Sequence, residues 1–195
     1  MPTDTHRRRA SHTRGRLPWL ALGLSLLAFV ASAEPVTVAS VTSPGKVLRV
    51  SLQLDGGTPS YRVERFGQTV VDASRLGFQL RDGRLDRDLA VLGQNTRTFD
   101  ETWEQPWGER RYVRNHYNEV SVQLGERSGA KRRFEVVFRA FDDGVGFRYH
   151  FPEQAGLDEA IIDDELTEFA IAPASTAWWI PAGEPIHYEY LYQRT

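Results

Sequence analysis

Cysteine is absent from the 195 residues of this chain, and methionine occurs only once. Without a thiol the chain can form neither a disulfide framework nor a thiolate metal site. It has no Gly-x-y repeat of the collagen kind, and at 41% hydrophobic residues it is too apolar for an intrinsically disordered protein. Its length is enough for one domain with a proper core. These absences leave a globular domain, once the N-terminal segment is set aside.

The N-terminal segment has the three parts of a secretory signal. Five arginines precede an apolar run, Leu17–Val30, which ends in the small residues Ala31–Ala33. The alternative is a membrane anchor, but the run is shorter than the roughly 20 apolar residues that a spanning helix needs. We therefore predict a signal peptide over residues 1–33, cleaved before Glu34. The mature chain, 34–195, is then exported to the periplasm or the medium and is not membrane-bound after cleavage.

Removing the signal peptide changes the charge balance of the chain. Without its five Arg and one Asp, residues 34–195 carry 19 basic and 25 acidic side chains, a formal net charge of −6. A nucleic-acid-binding domain has the opposite sign. The sequence therefore predicts no nucleic-acid partner.

Hydrophobic residues of the mature chain recur with period two. Such segments begin at Leu48, Tyr61, Leu76, Val120, Phe134 and Val145. The clearest pair, 134–140 and 145–151, is joined by Asp142–Gly144 and predicts a β-hairpin. No stretch keeps a period of 3.6 for three turns. The pattern predicts an all-β fold, either an antiparallel sandwich or a barrel.

Known catalytic signatures are missing from the sequence. It contains no G-x-S-x-G elbow, no H-E-x-x-H motif, no P-loop and no G-x-G-x-x-G. The mature histidines, His116, His150 and His187, are far apart and lack metal-ligand spacing. His150 alternates with two aromatic neighbours and is expected on the exposed face of a strand.

Carboxylates are plentiful, but their spacing does not define a site. Glycoside hydrolysis needs two of them around a sugar bond, and calcium needs several oxygen ligands. Neither arrangement can be read from residues on distant strands. Taken alone, the acidic segment Asp163–Glu168 is expected to be a solvated turn.

Tryptophans are the more informative residues. Four of them lie in loop-like segments that contain Gly or Pro: Trp103, Trp107, Trp178 and Trp179. The segment around the last two, 173–185, is typical of an ordered loop or of a strand with irregular flanks. Indole faces stack on sugar rings, and neighbouring carboxylates and amides, such as those of Asn115 and Asn118, accept hydroxyl hydrogen bonds. Sugar binding is one interpretation. The other is that these residues close the ends of the sandwich or an interface between domains.

Several stretches together resemble the N-terminal domain of glycoside hydrolase family 97. They are Trp103–Glu109, Phe138–Tyr149, Asp164–Phe169, Trp178–Pro181 and Tyr188–Tyr192. The likeness extends from about Val41 to Thr195. This family contains exported bacterial α-glucosidases and α-galactosidases, so the resemblance implies an α-linked oligosaccharide as the substrate of the whole enzyme.

The resemblance also implies an architecture and a cofactor. The expected fold is an antiparallel β-super-sandwich, similar to galactose mutarotase, packed against a (β/α)8 barrel. The catalytic residues of the family lie in that barrel, so none is assigned in this chain. A calcium ion accompanies the family's active site and takes one ligand from the N-terminal domain. We place that ligand at Glu189, with Glu168 as the alternative.

The chain stops within an aromatic, strand-like run, Tyr190–Tyr192. An unpaired apolar edge of this kind invites aggregation. We therefore expect Thr195 to be a truncation before the catalytic barrel, and the fragment to be inactive alone. Two other hypotheses for the function of the chain are a stand-alone carbohydrate-binding module, which would use the tryptophans, and a purely structural interaction domain.

Overall fold

The structure of the protein is a computed structural model that describes residues 35–173, 175–182 and 191–195. This part of the chain forms thirteen β-strands. They are β1 Val36–Thr42, β2 Leu48–Asp55, β3 Thr58–Arg65, β4 Gln68–Arg75, β5 Phe78–Leu80, β6 Gly83–Arg84, β7 Leu89–Glu104, β8 Tyr112–Glu126, β9 Arg133–Ala140, β10 Val145–His150, β11 Ile162–Glu165, β12 Trp178–Trp179 and β13 Gln193–Arg194. No helix in the described ranges has the length and apolar character to cross a membrane. The predicted signal peptide lies outside these ranges.

The first sheet is a four-stranded antiparallel meander in the order β1-β2-β3-β4. Its second hairpin pairs Asp55 with Thr58. Between them, Gly56 and Gly57 have φ angles of +56° and +101°, which residues with a side chain rarely adopt. The Asp-Gly-Gly sequence thus turns the chain between two strands of period two.

The second sheet has the order β10-β9-β8-β7 and is also antiparallel. Its β9–β10 hairpin is the one that the sequence predicts: Val145 pairs with Ala140, and the N–H of Phe141 donates to the C=O of Gly144 at 2.8 Å. His150 lies on the exposed side of β10, as predicted.

The two four-stranded sheets face each other across one apolar core. Leu52 of the first sheet and Val122 of the second are at most 1% exposed. Tyr61 on β3 reaches across, and its ring lies 5.9 Å from that of Phe138 on β9. Within the described residues the sheets do not close into a barrel. The all-β antiparallel sandwich is confirmed.

The acidic segment differs from its prediction. Ile162–Glu165 forms β11 and pairs with β5 in a third sheet, β11-β5-β6, so the expected solvated turn is wrong there. The charged side chains remain exposed because β11 is an edge strand of that sheet. The chain then runs along β4, where the N–H of Asp72 donates to the C=O of Ala170 at 2.7 Å.

Candidate functional site

Strands β7 and β8 form a long hairpin of 16 and 15 residues. Beyond Asn118, the last residue of β8 to pair with β9 along its course toward the tip, the hairpin projects from the sandwich as a two-stranded ribbon. The base is buried, since Leu89 and Leu124 have no exposed surface. Beyond a register shift between Val91 and Gly93, nearly every residue of β7 is exposed. An isolated two-stranded hairpin is marginal in water, so cross-strand side-chain pairs must help to hold this one.

Ion pairs connect the two strands of the ribbon along its length. The carboxylate of Asp100 accepts two hydrogen bonds from Arg114, at 2.8 and 2.7 Å. Nearer the tip, Glu104 accepts one from Nε of Arg111 at 2.8 Å. The bidentate guanidinium holds the pKa of Asp100 below its usual value. The ribbon thus keeps a fixed register as far as its tip.

The strongest of these pairs lies where the ribbon joins the sandwich. Glu119, only 9% exposed, accepts hydrogen bonds from Arg97 on β7 and Arg139 on β9, each at 2.6 Å. Burial raises the pKa of this carboxyl, but the two guanidiniums outweigh it and hold the pKa below its ordinary value. Beside it, Tyr117 stacks on Phe99 at 5.2 Å between ring centroids. Sequence reasoning did not find these ion pairs, because Arg97 and Arg139 are 20 or more residues from Glu119.

The tip of the ribbon presents aromatic rings to solvent. Trp107 is 82% exposed, Tyr112 59% and Trp103 46%. The loop between the strands is closed by Gln105, whose N–H donates to the C=O of Arg111 at 3.0 Å. The structure therefore brings two of the four predicted tryptophans to one tip. Sequence reasoning missed Tyr112, which Arg111 covers at 5.4 Å from its ring centroid.

The loop context predicted for Trp103 is wrong. Trp103 belongs to β7 and pairs with Val113 on β8. The strand continues to Glu104 because the ladder of cross-strand pairs extends that far. Of these two tryptophans, Trp107 is the one in the loop.

Trp178 and Trp179 lie in a different sheet from the tip. They form β12, which pairs with Gln193 and Arg194 of β13. This is a strand context, one of the two interpretations that the sequence left open for residues 173–185. Both indoles are exposed, Trp178 by 65%, and the guanidinium of Arg194 lies 5.7 Å from the Trp178 ring centroid.

A polar cleft of about 470 Å³ separates the ribbon from β1. Hydroxyl and amide groups line it, among them those of Thr42, Thr98 and Asn118. The amide of Asn118 donates to the C=O of Thr42 at 2.8 Å and accepts from the Thr98 hydroxyl at 2.8 Å. Such groups can exchange hydrogen bonds with sugar hydroxyls. Asn118, predicted from the sequence as a sugar-binding neighbour, therefore lies in a concave polar surface.

Two residues are expected from the sequence as calcium ligands, and the structure describes one of them. Glu189 lies outside the described residues. The alternative, Glu168, accepts hydrogen bonds from Nε and the backbone N–H of Arg75, at 2.7 and 3.1 Å. Arg75 thereby lowers the pKa of Glu168. No group of three or more His, Asp or Glu residues in the described ranges is arranged to hold a metal ion.

Comparison with known proteins identifies the family. The sequence profile of the Glycosyl-hydrolase 97 N-terminal domain matches residues 41–195. The chain belongs to glycoside hydrolase family 97. The predicted resemblance is confirmed, and the matched domain of the family covers all the strands of the sandwich from β2 onward.

Relatives and solved structures agree with this assignment. A probable retaining α-galactosidase of Streptomyces bingchenggensis is 30% identical over 134 residues, which are 69% of this chain and 20% of that protein. A retaining α-galactosidase of Bacteroides thetaiotaomicron is 25% identical over 111 residues, 56% of this chain and 16% of that protein.

Among solved structures, a family 97 enzyme of Pseudoalteromonas sp. strain K8 is 38% identical with a TM-score of 0.74, and it covers 80% of this chain. It was solved in complex with panose and with acarbose. The chain spans 24% of that structure's length, and a fifth or less of the two α-galactosidases.

Proposed function

We propose that the chain is the N-terminal domain of an exported, calcium-dependent α-glycosidase, in which it supports a catalytic barrel and contributes to the sugar-binding cleft. The observation that carries the proposal is the family match over residues 41–195. The two matched relatives are named α-galactosidases, and the Pseudoalteromonas enzyme was solved with the oligosaccharides panose and acarbose. An α-linked oligosaccharide is therefore the proposed substrate.

The proposed sugar contacts are the exposed indoles at Trp103, Trp107, Trp178 and Trp179. Trp107 supports this role best, because a ring exposed by 82% can stack on a sugar without any rearrangement of the domain. The adjacent polar cleft offers hydroxyl and amide partners. Bond cleavage itself is assigned to no residue of this chain.

For calcium, the proposed ligand from this chain is Glu189. A bound calcium ion would supply a fixed positive charge near the sugar oxygens. The ion takes six to eight oxygen ligands, so one carboxylate from this domain must be joined by ligands from the rest of the enzyme. Glu168 fits the role less well, because its carboxylate is already engaged by Arg75.

The decisive experiment extends the chain. The reading frame downstream of codon 195 is sequenced, and the extended protein is assayed on nitrophenyl α-galactoside and α-glucoside, with the 195-residue chain as the control. We expect hydrolysis by the extended protein only, lost on chelation and restored by calcium. Glu189→Gln should raise the calcium concentration needed for half-maximal activity, whereas Glu184→Gln should not. A stop codon directly after Thr195, or an inactive extended protein, would contradict the proposal.

A second candidate function is a stand-alone carbohydrate-binding module, and the exposure of Trp107 is the observation that favours it. It predicts that the 195-residue chain binds panose in a calorimetric titration and that Trp107→Ala abolishes the binding. Phe66→Ala is the matched control, since Phe66 is an aromatic residue 66% exposed in the turn between β3 and β4. If none of the three proteins binds panose, the chain is not a stand-alone carbohydrate-binding module, and its proposed role as a domain of a larger enzyme remains.

A further inference from the structure

Strand β10 lies at the open edge of the second sheet. Within the described residues it pairs only with β9. The hydrogen bond from Phe141 to Gly144 closes their hairpin, and bonded and non-bonded pairs alternate along an antiparallel ladder. It follows that the N–H and C=O groups of Val145, Phe147 and Tyr149 point away from β9. They form a row of backbone donors and acceptors along the open edge.

The inner side of this edge borders an apolar cleft. The cleft has a volume of about 260 Å³ and lies between β10 and β4. Val70, Val145 and Phe147 line it, together with Phe169, which is 64% exposed. The rings of Phe147 and Phe169 lie 6.0 Å apart. An apolar side chain on a strand added beside β10 would enter this cleft.

The outer side of the same edge differs from the inner side because it carries arginines. A recess of about 190 Å³ lies over Gly146 and is lined by Val137, Arg139 and Arg148. A Cβ built on Gly146 would contact nothing within 4 Å. The Arg148 side chain is exposed, and its guanidinium forms no hydrogen bond or ion pair with any other described residue. The recess is therefore flanked by two guanidiniums, that of Arg139, which already donates to Glu119, and that of Arg148, which is available to an anionic group.

We propose that the open edge of β10 accepts an extended strand whose side chains alternate between apolar and acidic. Successive residues of a strand face opposite sides, so an apolar residue at one position would fill the inner cleft. The acidic residue next to it would then reach the recess over Gly146, between Arg139 and Arg148. Backbone hydrogen bonds to β10 would supply the affinity, and the two pockets the specificity.

The strand comes from the same polypeptide, C-terminal to residue 195. This source rests on the proposed function, in which the chain is one domain of a longer enzyme. The chain's own β10 is a poor alternative. Pairing two copies antiparallel about Arg148 would place this residue opposite its own counterpart, and pairing them about Phe147 would place it over Gly146 beside Arg139; like charges directly opposite destabilise a sheet.

The first test adds a strand in trans. The probe is a capped seven-residue peptide in which three valines alternate with two aspartates between terminal threonines. It should shift the amide resonances of the 195-residue chain at Val145, Phe147 and Tyr149, and leave those of β2 unchanged. A peptide with lysine in place of aspartate should bind about fivefold more weakly, the factor that corresponds to one modest ion pair. Equal binding of both peptides, or no binding of either, would overturn the proposal.

A charge reversal makes the test specific to the recess. Arg148→Glu should reverse the preference, so that the lysine peptide becomes the tighter ligand. The matched control is Arg49→Glu on β2, which makes the same charge change at another exposed strand arginine without a described ion pair. It should leave the preference unchanged. If both variants shift the preference equally, only overall charge is being measured and the recess is not the site.

Hydrogen exchange identifies the source of the strand. In the 195-residue chain the amide of Phe147 should exchange much faster than that of Arg148, which bonds to β9. In the extended protein both amides should be protected, and the peptide should no longer bind. An extended protein that hydrolyses α-glycosides while Phe147 still exchanges rapidly would reject this inference alone. A protected Phe147 in an inactive protein would reject the proposed function alone.

Discussion

The carboxylate of Glu119 accepts a hydrogen bond from Arg139 at 2.6 Å, and the two residues lie directly opposite each other on β8 and β9. On its other side, Glu119 faces Arg97 of β7. One carboxylate thus links three neighbouring strands. Glu119 lies where the long hairpin separates from the sandwich. Its ion pairs therefore fix the hairpin, and with it the tryptophan-bearing tip, to the sandwich.

Removing this carboxylate should loosen the hairpin. Glu119→Ala removes a carboxylate that is only 9% exposed and leaves the partly exposed guanidiniums of Arg97 and Arg139 without their partner. We expect the free energy of unfolding to fall by about 1–2 kcal/mol, the contribution of hydrogen bonds to a charged group, reduced because water can hydrate the two arginines. Urea unfolding at neutral pH measures this loss.

Glu101→Ala is the control for this substitution. Glu101 lies on the same ribbon, is exposed, and forms no ion pair with another described residue. Its removal should change stability by less than about 0.5 kcal/mol. Trypsin should also cleave the Glu119→Ala protein faster at Arg110 and Arg111, within the tip. If the Glu119→Ala protein is as stable in urea and as resistant to trypsin as the control, the ion pairs of Glu119 do not stabilise the hairpin.

Much of the sandwich is predictable from local patterns in the sequence. The β9–β10 hairpin carries apolar residues at alternate positions because one face of each strand is buried in the core. Its Asp-Asp-Gly turn marks the reversal of the chain. Such signals are local, so one sequence suffices to read them.

The candidate site is less predictable, since its signals are not local. Strand β7 shows no alternation beyond Gly93 because both of its faces are exposed there. Without a buried face, nothing in the sequence separates a strand from a loop, and the loop predicted for Trp103 is wrong for this reason. Likewise, the contact of Glu168 with Arg75 joins residues 93 positions apart, beyond any spacing rule.

Truncating the central aromatic residue of the core should be more damaging than any surface change. Phe138 has no exposed surface, and its ring lies 5.5 Å from that of Phe147 and 5.9 Å from that of Tyr61. Phe138→Ala leaves a cavity between the sheets and should cost about 3–5 kcal/mol. Phe138→Leu, which keeps most of the volume, should cost clearly less. Equal losses in urea unfolding would argue against a shared, close-packed core.

Acid should destabilise the domain partly through Asp86. Hydrogen bonds from Arg84, assisted by Arg87, lower the pKa of Asp86 from 3.8 to about 2. The group binds its proton less readily in the folded state than in the unfolded state. Its stabilising contribution, up to about 2 kcal/mol, is therefore complete above the unfolded pKa and is lost as the pH falls from about 5 to 2.

Asp86→Asn tests this dependence on pH. The variant should be less stable than the parent at pH 6, and the difference should shrink toward pH 2.5 as the parent loses its ion pairs. Asp55→Asn is the control, since Asp55 is exposed and forms no ion pair within the described ranges. If the difference in the free energy of unfolding between Asp86→Asn and the parent stays constant with pH, the effect is due to packing and not to the charge of Asp86.

The connection between β4 and β5 should tolerate no side chain at Gly77. Its φ is +128°, and a Cβ there would lie 2.5 Å from the carbonyl oxygen of Leu85. The close approach is needed because the N–H of Leu85 donates to the C=O of Phe78 at 2.9 Å, which holds the two segments together. Gly77→Ala combines a strained backbone with a collision and should cost about 2 kcal/mol or more. At Gly93 a Cβ would meet nothing within 4 Å, so Gly93→Ala should leave the urea midpoint nearly unchanged. If both alanine variants unfold at the same urea concentration as the parent, the segments around Gly77 are not held at this distance in solution.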